Sequence, residues 1–180
     1  MRVLVAYASR HGATRGIAER IADTLVRAGY EATERRVDEP IEPGHYDAFV
    51  IGSAVYVGHW EKEATRFVHD NRAYLANRPV WLFSSGPLGT EEVDEKGESV
   101  RSEPAEIPRL REAVDARGHH IFFGAYDPAK RPGGFVERLV RMVPGSRNLL
   151  PAGDFRDWRE IEAWAGRIAG ELTPIPVGSI

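Results

Sequence analysis

The chain of 180 residues is long enough for one domain with a sizeable core, and its 42% hydrophobic and 28% charged residues are typical of globular proteins. A net charge of -3 gives no electrostatic footprint for nucleic acid, so we expect no nucleic-acid partner. The chain has no cysteine, which excludes disulfides, thiolate metal sites and cysteine nucleophiles. It shows no signal-peptide pattern and no apolar run of membrane-spanning length, so we expect a cytoplasmic protein without a transmembrane segment.

Strand and helix patterns alternate along the chain. Residues 2–8 are apolar at nearly every position, which is typical of a strand buried on both faces of a parallel sheet. A helix follows from about Ala13 to a cap at Gly29, and the polar run 31–37 predicts a strand at the sheet edge. Further strands are predicted at residues 47–52, 80–83 and 120–125, and further helices at about 60–75, 104–117, 135–143 and from Asp154, with Asp154 as the cap and Asp157 in the first turn.

These five strands predict an α/β fold. We expect a parallel sheet with helices on both faces, which makes a three-layer sandwich, and a strand order of 2-1-3-4-5 would place the reversal of order between the first and third strands. We expect one domain over residues 1–173 and a loose C-terminal tail over residues 174–180, because Pro174 and Pro176 prevent the last helix from continuing.

The segment from Ser9 to Thr14 lies between the first strand and the first helix. A loop at this place collects unpaired backbone N–H groups and the positive end of the helix dipole, which favours an anion. The hydroxyls of Ser9 and Thr14 and the cation of Arg10 can face that point, and Gly12 permits a tight turn. The loop therefore predicts a phosphate site, while the alternative is that these residues only turn the chain and cap the helix.

Two other segments follow buried strands, residues 53–60 and 84–89. Ligands of an open parallel sheet bind beyond the carboxyl ends of the strands, where the strand order reverses, so both segments would meet the first loop. They contain glycines, few charges, and the side chains of Tyr56, Trp60 and Leu88. We expect them to hold a flat ring between them, with backbone groups at its polar edge.

Other chemistries lack their motifs. The chain has no Gly-x-x-x-x-Gly-Lys-Ser/Thr, no Gly-x-Gly-x-x-Gly after the first strand and no Gly-x-Ser-x-Gly, which argues against nucleoside triphosphatases, Rossmann-type enzymes and serine hydrolases. The six histidines show no metal-ligand spacing. The neighbours His119 and His120 would point to opposite faces of a strand, so we expect structural roles for both.

Four segments of the chain follow one another in a characteristic order. They are Ser9-Arg10-His11-Gly12-Ala13-Thr14, Val50 to His59, Gly124-Ala125-Tyr126-Asp127-Pro128, and the helix from Asp154 to Ala169 with Asp157-Trp158. In this order they resemble the flavodoxin superfamily, and within it the flavodoxin-domain family that includes menaquinone-dependent protoporphyrinogen oxidase. The resemblance covers nearly the whole chain.

The resemblance implies a flavodoxin-like fold with a five-stranded parallel sheet of order 2-1-3-4-5, and non-covalently bound FMN. It places the 5′-phosphate on Ser9, Arg10, His11, Gly12, Ala13 and Thr14. It places the isoalloxazine ring between two groups: Ala54, Val55, Tyr56, Val57 and Gly58 on one side, and Ser84, Ser85, Gly86, Pro87, Leu88 and Gly89 on the other. Tyr56 is the best candidate for an aromatic side chain against the ring. Because flavin chemistry belongs to the cofactor, we assign no catalytic residue and no metal ligand.

The resemblance leaves two functions open. The first is an FMN-dependent oxidoreductase of the protoporphyrinogen oxidase type that passes electrons to a quinone such as menaquinone. The alternative is a flavodoxin-type electron carrier that serves a redox partner protein, and the acidic residues between Glu91 and Glu98 favour a basic partner. A third hypothesis, a binding module with a decayed FMN site, is disfavoured by the intact 9–14 loop.

A late basic segment bears on the location of the protein. Basic residues gather around the predicted helix at 135–143, and apolar side chains lie among them; the basic residues are Lys130, Arg131, Arg138, Arg141 and Arg147. This pattern is compatible with a helix at the inner face of the membrane, beside a quinone, or with an ordinary amphipathic helix packed on the sheet.

Overall fold

The computed structural model describes residues 1–89, 93, 97, 99–127, 129 and 152–172. The strands are β1 Arg2–Ala8, β2 Glu31–Arg36, β3 Ala48–Tyr56, β4 His59–Trp60, β5 Val80–Ser85, β6 Gly118–Phe122, β7 Ala125–Tyr126 and β8 Gly153–Asp154. The helices are α1 Ala13–Arg27, α2 Lys62–Asp70, α3 Arg72–Leu75, α4 Ile107–Val114 and α5 Trp158–Glu171, with a 3-10 turn at Pro43–His45.

The main sheet has the order β2-β1-β3-β5-β6, and these five strands are parallel. Counted along the chain as five long strands, this is the predicted order 2-1-3-4-5, so the fold prediction is confirmed. The short strand β4 turns back and pairs antiparallel with the end of β3. Among the described strands, the polar strand β2 pairs with β1 alone, which explains why its sequence lacks the apolar run of a central strand.

Helices cover both faces of the sheet. On one face, α1 and α5 pack against side chains such as Val5, Phe83 and Phe122. On the other face, α2, α3 and α4 pack against Leu4, Ile51 and their neighbours. Strands β1, β3 and β5 are buried on both faces because adjacent side chains enter different cores, and this is why their sequences are continuously apolar.

Several predicted boundaries are wrong. The helix predicted over 60–75 is two helices, α2 and α3, separated at Asn71, whose side chain bonds to the Phe67 carbonyl. The helix predicted over 104–117 is only α4, and it ends at Asp115, which has a left-handed backbone. The last strand predicted over 120–125 is the separate strands β6 and β7.

The start of the final helix is also corrected. Asp157, and not Asp154, caps α5: its Oδ1 accepts the N–H groups of Arg159 and Glu160 at 2.8 and 3.1 Å. Asp154 lies in β8, where it pairs with Ala125.

Some predictions lie outside the described residues. They are the helix at 135–143 with its surrounding cations, the tail 174–180, and most of the acidic residues between Glu91 and Glu98. Within the described ranges, no helix combines the length and the apolarity that crossing a bilayer requires.

Candidate functional site

The three predicted segments meet at the carboxyl edge of the parallel sheet. In the strand register, Ala8 lies beside Ser53, and Ala54 lies beside Ser85, so the residues that follow emerge at the same edge. The first segment contacts the second, since the Arg10 guanidinium lies 4.7 Å from the centre of the Tyr56 ring. The third segment packs closely on the second, because a Cβ on Gly86 would stand 3.1 Å from Cβ of Val55.

Residues 9–14 form a tight turn before α1. Gly12 has a left-handed backbone with φ of 87°, and its N–H donates to Oγ of Ser9 over 3.0 Å. The Thr14 side chain is 1% exposed, and its Oγ1 has no hydrogen-bond partner among the described residues. An unpartnered buried hydroxyl costs free energy, and it lies in the first turn of a helix whose leading N–H groups have no intrahelical acceptor. This arrangement suits an anion with several acceptor oxygens.

Arg10, predicted to hold the phosphate, has a different partner in the structure. Its Nε lies 3.2 Å from Oε2 of Glu61, a carboxylate that is 8% exposed. Burial raises the pKa of Glu61 above its ordinary value, and the charge of Arg10 offsets only part of this effect. Glu61 was not predicted as a site residue, because 51 residues separate it from Arg10 and no local pattern joins them.

The second segment is largely strand. Residues 53–56, predicted as loop, continue β3, and the turn consists of Val57 and Gly58, with φ of 53° and 77°. Two positive φ values in a two-residue hairpin turn are typical of type I′. Val57 is 78% exposed at the tip, while Tyr56 is half-buried below it.

Two residues directly before α4, Ala105 and Glu106, hold this hairpin. Glu106 accepts hydrogen bonds through Oε1 from His59 at 2.7 Å and through Oε2 from the Trp60 N–H at 3.1 Å. The Ala105 N–H donates to the Gly58 carbonyl. Burial alone would raise the pKa of Glu106, but the hydrogen bonds from His59 and Trp60 hold it below its ordinary value. Glu106 was not predicted, and its helix-like local sequence gives no signal for this contact.

The third segment begins inside the sheet. Ser84 and Ser85, predicted as loop, end strand β5 and are buried. The Ser84 hydroxyl accepts the indole N–H of Trp60 at 2.7 Å and lies 2.8 Å from Nε2 of His119. Residues 86–89 are half-buried and form the part of the segment that reaches the surface. The Pro87 carbonyl, which accepts the Gly124 N–H, ties this part to the chain beyond β6.

A cavity of about 520 Å³ opens beside the first loop. His11 and Tyr126 line it in an edge-to-face contact with ring centres 6.4 Å apart, and Arg156 also lines it and donates to the Ala13 carbonyl at 3.2 Å. Arg156 was not predicted as a site residue, although the resemblance included residues from all three segments that line this cavity. Asp154 holds the Arg156 guanidinium through both of its carboxylate oxygens.

His119 and His120 point to opposite faces, as predicted. His119 bonds to Ser84, whereas His120 lies 2.9 Å from Glu160 and stacks on Trp164. Within the described part of the chain, no three acidic or histidine side chains are grouped closely enough to hold a metal ion.

Comparison with known proteins gives a family match. The sequence profile of the family described as flavodoxin domain matches residues 4–130. The chain is also 31% identical over 86 residues to the protoporphyrinogen IX dehydrogenase [quinone] of Escherichia coli strain K12. That alignment covers 47% of this chain and 48% of the relative, so the chain spans about half the length of the relatives it matches.

Solved structures show the same fold along the whole chain. A flavodoxin from the domain Archaea has a TM-score of 0.60 at 14% identity and covers 95% of this chain and 98% of its own. Oxidised flavodoxin 1 from Bacillus cereus has a TM-score of 0.59 at 12% identity, and the match covers 96% of this chain and 100% of the flavodoxin. At these identities the likeness establishes the architecture alone.

Proposed function

Because this chain belongs to the flavodoxin domain family, we propose that it binds FMN without a covalent link at the carboxyl edge of its sheet. The phosphate would lie against residues 9–14, and the isoalloxazine ring would lie between residues 54–58 and residues 84–89. When bound, FMN supplies a ring that takes up and releases two electrons with their protons.

The observation that supports FMN most directly is the Thr14 hydroxyl. It is buried at the start of α1 and has no partner among the described residues, so a phosphate oxygen would satisfy it. The leading N–H groups of α1 and the left-handed Gly12 provide the rest of an anion site. These features belong to this chain and do not depend on the comparisons.

The remaining segments would orient the ring. Tyr56 offers an aromatic face, and the turn after it is held by Glu106 and Ala105. At Gly86 the third segment approaches Val55 closely, since a Cβ there would lie 3.1 Å from Cβ of Val55, so the ring would have to lie beyond this contact. An FMN molecule that is held at its phosphate and enclosed on two sides of its ring would present the ring to a substrate in one orientation.

For the activity, we propose a quinone-linked dehydrogenase of the protoporphyrinogen oxidase type. The similarity to the E. coli protein supports this substrate pair, although the alignment spans about half of each chain. A quinone acceptor would place the protein in the cytoplasm with peripheral contact at the inner face of the membrane.

The first test is the visible absorption spectrum of the purified protein before and after adding FMN. We expect a flavin spectrum and quenched flavin fluorescence. A protein that binds no FMN under any condition would contradict the proposal and make a decayed site the leading hypothesis.

The variant Thr14→Val tests the phosphate position. It removes one hydrogen bond to a charged group, so we expect FMN affinity to fall roughly ten- to a hundredfold. Stability without FMN should stay the same or rise, because the variant removes an unpartnered buried hydroxyl. The control is Thr24→Val, whose hydroxyl bonds to the Arg20 carbonyl on the outer part of α1. Unchanged FMN affinity in Thr14→Val would contradict the phosphate position.

Turnover separates the enzyme from the alternative electron carrier. The proposed enzyme oxidises protoporphyrinogen with a soluble quinone analogue as acceptor. A protein that binds FMN and exchanges electrons with a redox protein, but turns over neither substrate, would be the carrier.

A further inference from the structure

Glu61 is a buried acidic residue at the edge of the proposed FMN site. It follows β4 and precedes α2, yet its side chain does not cap that helix. Its backbone N–H donates to Oγ of Ser53 at 2.9 Å, and that hydroxyl donates to the Ala54 carbonyl. The main chain of Glu61 is therefore attached to the end of β3, one of the strands that would support the ring.

The Glu61 carboxylate depends on Arg10. Oε2 lies 3.2 Å from Nε of Arg10, while Oε1 is buried without a hydrogen-bond partner among the described residues. The other charged groups that act on this carboxylate, Glu63 and Arg36, have weaker effects on it than Arg10. A buried carboxylate with one cationic partner holds that partner firmly, because losing it would leave an uncompensated buried charge.

Arg10 is thereby kept over the Tyr56 ring. Its guanidinium carbon lies 4.7 Å from the ring centre, within the range of a cation–π contact, and its side chain is 37% exposed. The planar guanidinium can stack on an aromatic face while its Nε donates sideways to a carboxylate, a geometry that lysine cannot reproduce.

From these contacts we propose that Glu61 is a positioning residue that holds Arg10 on the ring side of the site. Arg10 then supports the aromatic ring of Tyr56 and does not bind the phosphate. The phosphate contacts then come from backbone N–H groups of the first loop and from Thr14. This proposal rests on the proposed FMN site, and it reassigns a residue that the sequence had placed at the phosphate.

The test compares FMN with riboflavin, which has the same ring and no phosphate. We expect Arg10→Ala to lower the affinities for FMN and for riboflavin by the same factor. This factor should be roughly three- to tenfold, because the variant loses a cation–π contact and its packing. We expect Thr14→Val to weaken FMN selectively. The phosphorus NMR resonance of bound FMN should stay at its wild-type position in Arg10→Ala and move in Thr14→Val. A selective loss of FMN in Arg10→Ala, with a moved resonance, would overturn the proposal.

Variants of Glu61 test the positioning role. We expect Glu61→Ala to lower the affinity for both flavins by the same factor as Arg10→Ala. The double variant should show no further loss of affinity beyond that of either single variant. Glu61→Gln, whose amide oxygen still accepts from Arg10, should keep most of the affinity. Wild-type affinity in Glu61→Ala would contradict the positioning role. Failure of the wild-type protein to bind either flavin would instead contradict the proposed function.

Discussion

At the tip of the β3–β4 hairpin, Val57 has a backbone conformation that β-branched residues rarely adopt. Its φ of 53° lies in the left-handed region, and its side chain is 78% exposed, so no packing compensates for the strain. We expect Val57→Asn to raise the free energy of unfolding by about 1 kcal/mol, because asparagine suits the first position of a type I′ turn. Chemical denaturation of the protein without ligand measures this change.

The control for this prediction is Val26→Asn, at another exposed valine, in the last turn of α1. A similar gain there would show that the effect comes from polarity and not from the turn. If Val57→Asn also weakens FMN binding, the strained valine contributes to the proposed site, since strained residues cluster at such places.

At the scale of elements, Gly52 permits the contact between β3 and β5. A Cβ on Gly52 would stand 2.1 Å from the Phe83 ring, which is fully buried and lies beside it in the sheet. We expect Gly52→Ala to lower the free energy of unfolding by about 1–3 kcal/mol, the usual cost of overpacking a core. Gly166 lies on the exposed side of α5, and a Cβ added to it would have no atom within 4 Å. Gly166→Ala should therefore raise the free energy of unfolding by about 0.5–1 kcal/mol. Equal effects of the two variants in thermal denaturation would contradict this account.

The start of α5 gives a second prediction for an element. Because Asp157 accepts two N–H groups of the first turn, Asp157→Ala should lower the free energy of unfolding by about 1 kcal/mol. Asp154→Ala should cost less, since its carboxylate lies on the surface and pairs with Arg156. Helix content by circular dichroism and denaturation midpoints distinguish the two variants. A larger loss in Asp154→Ala would show that the Arg156 contact, and not the cap, stabilises this end.

At the scale of the whole molecule, His119 makes stability depend on pH. Its side chain is 4% exposed, and burial, followed by the charges of Arg111 and His120, lowers its pKa from 6.5 to about 4. The indole N–H of Trp60 donates to the Ser84 hydroxyl, and this hydroxyl can in turn donate its own proton to Nε2 of a neutral His119. A charged imidazole carries a proton on Nε2 and could not accept that hydrogen bond. The folded state therefore resists a proton that the unfolded state accepts.

The sign of the effect follows from linkage. The contribution of His119 is fully present above about pH 6.5 and is lost as the pH falls toward about 4, by roughly 3 kcal/mol in total. Carboxylates with lowered pKa values, such as Glu106 and Glu160, lose their contribution at still lower pH, whereas the raised pKa of Glu61 acts in the opposite direction. Denaturation curves at several pH values should show a steeper decline in the wild type than in His119→Gln. Parallel curves would contradict a neutral buried His119.

The positions of the buried strands and of the first loop could be predicted from the sequence because each depends on a local pattern, whereas the order of the strands came from the resemblance to the flavodoxin superfamily. Continuous apolar runs such as Val3–Ala8 identify strands buried on both faces, and Gly12 between a strand and a helix identifies the turn. The ends of elements were harder to predict. Residues 53–56 and 84–85 remain strand because neighbouring strands pair with them, as Ala54 does with Ser85, and no local signal announces that pairing.

The sequence by itself determined the family and the layers of the fold, since these follow from short motifs and hydrophobic periodicity. Only the tertiary structure decided how charged side chains pair across the carboxyl edge of the sheet. Arg10 and Glu61 lie 51 residues apart, and Asp154 is drawn into β8 by its pairing with Ala125. Such contacts depend on where the folded chain brings distant side chains together and removes them from water, because burial gives a charge or a hydrogen bond its strength.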